Sequence, residues 1–173
     1  MKKISTKKLI ILAMLVAFEV IFSRVIAVNV LTFKLGIGFA AIALCAMLYG
    51  PVWAGITAAL SDFIGALLFP TGAYFPGFTL TAALGGVIFG LLLYKKRPDV
   101  KRAFLAALCY GTLITLLANT AMISFVYGPK LVPLFVARLP EFGIMLALQT
   151  AVITALGGSD MLYGKILELK NEE

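Results

Sequence analysis

The chain has 173 residues, of which 62% are apolar and 13% charged, with a net charge of +7 and no histidine. Together with a mean hydropathy of +1.05, this excludes an ordinary water-soluble globule and predicts an integral membrane protein. At about 20 residues per crossing, the length accommodates at most about six or seven crossings in one domain over residues 1–173.

Breaks in the apolar pattern predict six transmembrane helices. The first covers about 9–26, behind a lysine-rich start (Lys2, Lys3, Lys7, Lys8) that has the look of a signal peptide. Because further apolar segments follow, it is expected to be retained as the first helix. A short polar connection, Asn29 to Lys34, leads to a second span at about 35–49, short enough to sit tilted or partly in the membrane interface. Gly50-Pro51 makes a tight turn into the third, about 52–69. The turn-rich stretch 70–77 precedes a fourth span at about 78–94, which ends at the basic run Lys95 to Arg102. A fifth covers about 103–126. A loop carrying Gly128-Pro129, Pro133 and Pro140 follows, then a sixth span at about 142–163 and a polar tail with Lys165 and Lys170.

Charge distribution predicts the orientation. Eleven of the fifteen Lys and Arg residues fall ahead of the first span, between the fourth and fifth, or in the tail. An even number of spans puts these three places on one side, and basic flanks collect on the cytoplasmic side, so both termini are expected there. Distributed this way, the positive charge orients helices; it does not point to nucleic acid. The remaining four, Arg24, Lys34, Lys130 and Arg138, fall on the opposite face, where an anionic small molecule bound from outside would explain them. Contact with lipid headgroups would use the same residues.

Charges inside apolar spans are costly, about 2.5–3.5 kcal/mol at a helix centre, so each needs a partner or a wet cavity. Glu19 and Arg24, five apart on the first span, suit either an internal ion pair or a ligand contact. Asp62, mid-span with no basic neighbour in sequence, requires a partner from another helix or a ligand. Tyr74, Phe75 and Phe78 share one Gly/Pro-framed loop and its margin, where they serve either as an interfacial aromatic belt or as stacking surfaces for a flat heterocycle. Cys45 and Cys109 lie singly within apolar segments and are read as packing residues, with neither a disulfide nor a metal framework expected. Without histidine, His-based triads and H-E-x-x-H metal sites are excluded, and no G-x-x-x-x-G-K-[ST] loop occurs, so no ATP hydrolysis by that route is expected of this chain. Ala13-x-x-x-Ala17 and Gly86-x-x-x-Gly90 have the spacing of close helix contacts.

The chain resembles a substrate-specific S component of energy-coupling factor (ECF) vitamin transporters over its whole length. Ala13-x-x-x-Ala17 looks like the alanine motif by which S components dock on a shared transmembrane subunit. Arg24, Leu48 to Trp53, Asp62 to Gly65 and above all Phe75 to Ala82 resemble the folate-specific branch. The resemblance implies the S-component fold in a bacterial cell membrane, folate as transported ligand without any cofactor in this chain, and no enzymatic activity. It further implies a transmembrane coupling subunit and two ATPase subunits as partners. Folate's dianionic tail would lie near Arg24, Lys34, Lys130 or Arg138, its pterin would stack on Tyr74, Phe75 or Phe78, and Asp62 or Asn119 would read the pterin's donors. Competing expectations are an S component for another anionic vitamin such as pantothenate, and a small membrane enzyme using Glu19 or Asp62.

Overall fold

The computed structural model describes residues 5–30, 33–70, 74–158 and 164, the side chains of 28–30 and 33–35 excepted. Helix α1 (Thr6–Val20) runs directly into a π-helical turn, Ile21–Val25. A small antiparallel hairpin, β1 (Val28–Val30) and β2 (Phe33–Leu35), pairs Asn29 with Lys34. Then come α2 (Phe39–Tyr49), α3 (Pro51–Leu68), α4 (Pro76–Leu93) and α5 (Val100–Tyr110). The last continues through a π segment, Gly111–Asn119, into α6 (Thr120–Tyr127), and α7 (Leu131–Ala137) and α8 (Leu139–Gly158) complete the described chain.

Among the described residues, four stretches are long and apolar enough to cross a membrane: Pro51–Leu68, Pro76–Leu93, Val100–Tyr127 and Leu139–Gly158. Their outer surfaces are apolar, with Leu67, Leu68, Leu80, Leu91 and Phe125 between 60% and 83% exposed. Water would penalise such a surface, whereas hydrocarbon accepts it. Helix α2 is different. Nine of its eleven residues are buried, and 11 residues rise only about 16 Å. A short helix apolar on every side is a core helix, so α2 occupies the centre, and Phe39, Ile42 and Met47 pack in one cluster with Leu12, Leu15, Phe89, Leu93 and Ile153.

Several predicted boundaries shift for physical reasons. Helices α3 and α4 start on Pro51 and Pro76 themselves, because proline at the first helical position lacks only an N–H that has no intrahelical acceptor there. For the same reason α8 begins at Leu139 with Pro140 in its first turn, ahead of the predicted residue 142. The second span does not begin at Leu35, which ends strand β2. The connection from Asn29 to Lys34 is a hairpin, and the expected loop from Leu131 to Ala137 is helix α7. Residues 159–163 of the sixth predicted span lie outside the described residues.

The two glycines of Gly86-x-x-x-Gly90 face α3. A Cβ on Gly86 would strike the Ala54 carbonyl, and one on Gly90 would strike the Pro51 backbone, so only glycine permits this approach. The turn between α2 and α3 rests on Gly50, whose φ of 83° is in the left-handed region, where a side chain is strained. The basic residues at this end are tied to the bundle. The Lys8 ammonium lies 4.5 Å from the Tyr49 ring centroid and 4.7 Å from that of Trp53. The Arg97 guanidinium donates to the Gly157 and Gly158 carbonyls at 3.2 and 3.3 Å, covering acceptors at the negative end of the α8 dipole.

Candidate ligand-binding cavity

At the other end, a cavity of about 450 Å³ lies between the π-helical turn after α1, the last turns of α3 and α6 and the first turns of α4, within the range of about 300–1,000 Å³ that holds drug-sized ligands. Its wall carries seven aromatic rings, from Phe39, Tyr74, Phe75, Phe78, Phe89, Tyr110 and Tyr127, with Glu19, Arg24, Asp62, Thr81 and Asn119 set among them. Phe89 on α4 and Tyr110 on α5 stack with centroids 4.8 Å apart and planes 15° apart, while Phe75 meets Phe78 edge-on at 6.1 Å.

Asp62 is the centre of the polar wall. Arg24, carried on the π-helical turn after α1, reaches across to α3, and its guanidinium donates to Asp62 Oδ1 at 3.1 Å. The partner that Asp62 requires therefore comes from another helix. The Arg24 stem lies against Gly65, one turn beyond, where a Cβ would approach Nε to 3.0 Å. Thr79 on α4 donates its hydroxyl to Asp62 Oδ2 at 2.8 Å. Having spent its one proton there, Thr79 accepts from the Tyr74 hydroxyl, 3.0 Å away. A single chain of bonds thus joins the α3–α4 connection, α4, α3 and the end of α1. Nearby, the Thr81 hydroxyl sits 2.7 Å from Asn119 Oδ1 and 2.9 Å from the Phe78 carbonyl.

Both π segments feed the cavity. In an α-helix, residues five apart point about 140° away from each other, whereas closure of i to i+5 in a π turn brings them round to one side. Glu19 and Arg24, five apart, both line the cavity. The second π segment ends on Asn119, and the hydroxyl of Thr120, the first residue of α6, donates back to the Thr115 carbonyl five residues earlier, at 3.2 Å.

A second chamber of about 250 Å³ adjoins the first, sharing Glu19, Phe39, Tyr110 and Asn119 with it. Its far wall contains Arg138, Glu141 and Gln149, all buried. Arg138 Nε donates to Glu141 Oε2 at 3.0 Å, and its guanidinium lies 3.4 Å from the Thr120 hydroxyl.

The structure thus brings Arg24, Asp62, Tyr74, Phe75, Phe78 and Asn119 to one cavity and Arg138 to the chamber behind it. Lys130 stands exposed at the start of α7 and lines neither; the Lys34 side chain lies outside the described residues. The set of outer cations does not form one positive surface, since Arg24 and Arg138 are each ion-paired to a carboxylate. Sequence reasoning missed Phe89, Tyr110, Thr79 and Gln149. Of these, Gln149 carried a usable signal, a lone carboxamide within the apolar run Ile144 to Leu156. Ala13 and Ala17 are exposed on α1, beside the exposed Ile10, Met14 and Phe18.

A family model described as ECF transporter, substrate-specific component, matches residues 7–161. The chain is 39% identical over 153 residues to the folate transporter FolT of Clostridium novyi (strain NT), covering 88% of each. It is 38% identical over 94 residues to the folate transporter FolT of Leuconostoc mesenteroides, covering 54% of this chain and 50% of that one. A crystal structure of FolT bound with folic acid aligns with a TM-score of 0.83 at 37% identity, over 89% of this chain and 94% of the other. Alike in fold and in sequence along most of its length, the chain belongs to the family of substrate-specific components of ECF transporters.

Proposed function

We propose that this chain is the folate-binding subunit of an ECF-type importer, capturing folate from outside a bacterial cell and delivering it through a coupling module. The observation that carries this is the aromatic cavity of about 450 Å³ in a chain so similar to a FolT crystallised with folic acid. Folate combines a flat pterin, a linking ring and a dianionic tail. The stacked Phe89–Tyr110 pair and the Phe75–Phe78 corner suit the rings, and the Arg24–Asp62–Thr79 cluster suits hydrogen-bonding groups along the ligand.

In this reading the chain crosses the membrane six times with both termini cytoplasmic. Thr6–Val25 and the four long apolar stretches span the bilayer, the short Phe39–Tyr49 makes the sixth passage within the bundle they form, the cavity opens outward, and Lys8, Lys95 and Arg97 mark the inside. The exposed Ala13 and Ala17 offer a low surface on which a transmembrane coupling subunit docks, and two ATPase subunits of the module supply ATP hydrolysis. Thermal melting of the purified protein with a panel of vitamins tests the reading, because a ligand that binds only the folded state must raise its melting temperature. Folate is expected to raise it in a concentration-dependent way. Stabilisation by pantothenate and none by folate would replace folate with another anionic vitamin, and no stabilisation by any of the panel would refute a vitamin-binding role.

A further inference from the structure

Away from both chambers, a groove of about 600 Å³ runs between α5 and α8 on the flank of the bundle. Its α8 side is Gly143, Ala147, Ala151 and Ala155, all exposed. Four apart, they share one face of the helix and extend over about 18 Å, close to the depth of one leaflet of a hydrocarbon core about 30 Å thick. Val100 and Phe104, 55% and 45% exposed, form the α5 side. The groove presents no free hydrogen-bond donor. Thr150 spends its hydroxyl proton on the Leu146 carbonyl at 2.7 Å, and the Thr154 oxygen is buried. Such a surface accepts hydrocarbon and leaves a polar ligand unsatisfied.

The charge at one end of the groove identifies the occupant. Arg97, just ahead of α5, is held on the Gly157 and Gly158 carbonyls, so the start of α5 lies beside the end of α8. There Lys101 is exposed, and at three residues from Phe104 it neighbours that ring on the helix surface. Residues 95–102 carry five cations, Lys95, Lys96, Arg97, Lys101 and Arg102, against one carboxylate, Asp99, which accepts from the Val100 N–H at 2.8 Å as the cap of α5. A basic cluster beside a membrane surface attracts anionic headgroups, by about fivefold in affinity per cation. A helix from a second copy fits the small residues but leaves the cations unanswered. A phospholipid with a negative headgroup answers both.

We infer that the α5–α8 groove holds an acyl chain of an anionic phospholipid, with the headgroup beside Lys101, in the leaflet that is cytoplasmic in the orientation proposed above. The test is native mass spectrometry of the parent, Lys101→Glu and Ala151→Trp, each titrated with phosphatidylglycerol and with phosphatidylcholine of the same chain length. The parent is expected to keep one phosphatidylglycerol per chain in preference to phosphatidylcholine. Lys101→Glu is expected to bind phosphatidylglycerol roughly 25-fold more weakly, about fivefold for each of two charge units, with phosphatidylcholine unchanged. A glutamate in the first turn of α5 suits the helix dipole, so this loss would not reflect unfolding. Ala151→Trp fills the groove and is expected to retain neither lipid. Equal retention of both lipids by the parent, or parent-like phosphatidylglycerol affinity in Lys101→Glu, would overturn the inference even if Ala151→Trp failed to fold. So would a phosphatidylglycerol preference that survives in folded Ala151→Trp, which would put the lipid on the basic surface alone, or a parent dimer that this variant abolishes while lipid retention persists, which would give the groove to a second copy. None of these outcomes depends on which vitamin the cavity binds.

Discussion

Asp62→Ala and Arg24→Ala each delete one end of a 3.1 Å ion pair whose side chains are 22% and 13% exposed. Unit charges about 4 Å apart attract by about 4 kcal/mol at an effective dielectric of about 20, but a charge freed at so open a site regains much of this as hydration. A hydrogen bond to a charged group nets about 1.5–3 kcal/mol, and that is the better figure here. Folate engaging the pair as one unit would lose that amount on either replacement, a roughly 10- to 150-fold weaker affinity. The double replacement should cost little more than either single one, because the second deletion removes a group that has already lost its partner. Equilibrium folate binding to the parent, both single variants and the double variant in nanodiscs yields the coupling energy, expected at about 1.5–3 kcal/mol. Losses that simply add would refute the pair as a unit. Parent-like binding by both single variants would refute its place in the ligand site.

Lys130→Met and Arg138→Met should separate the two cations that bracket α7. The first should leave folate affinity and melting temperature unchanged, while the second should destabilise the protein by about 3–5 kcal/mol, since Glu141 stays buried without the guanidinium. Gly90→Leu drives a side chain into the Pro51 backbone, and chromatography should show a loss of folded, monodisperse protein consistent with overpacking of about 1–3 kcal/mol or more. Ala17→Trp should leave folate binding by the isolated chain intact and impair uptake by the assembled transporter in vesicles; unimpaired uptake would remove α1 from the docking surface.

The parts of the fold that show in the sequence are those set by composition along one helix. Long apolar runs mark α3, α4 and α8, and Gly86-x-x-x-Gly90 marks the seam where α4 meets α3, because a missing Cβ is a local fact with a local consequence. Helix α7 and the hairpin escaped because short polar or proline-containing stretches read as loop, and Pro133 and Pro140 fall in first turns, where proline breaks nothing. The π segments escaped for a related reason: Glu19 and Arg24 look misaligned at a spacing of five, and only the changed winding brings both into the cavity. In the site, Asp62 stood out as a charge with no neighbour in sequence, and its need for a partner, on another helix or on a ligand, followed from that cost alone. Which partner it takes did not follow, because Arg24 and Thr79 reach it only through the packing of three helices. Phe89 and Tyr110 were invisible for the opposite reason. An aromatic residue within an apolar helix looks like any other packing residue until the partner helix brings a second ring beneath it.

The most direct test of folate recognition is to incubate the purified protein with an equimolar mixture of vitamins, remove unbound compounds and identify what remains by mass spectrometry. Folate is the compound expected to stay with the protein, at one molecule per chain. Retention of pantothenate or another vitamin in its place, or of none at all, would contradict folate as the ligand of this cavity.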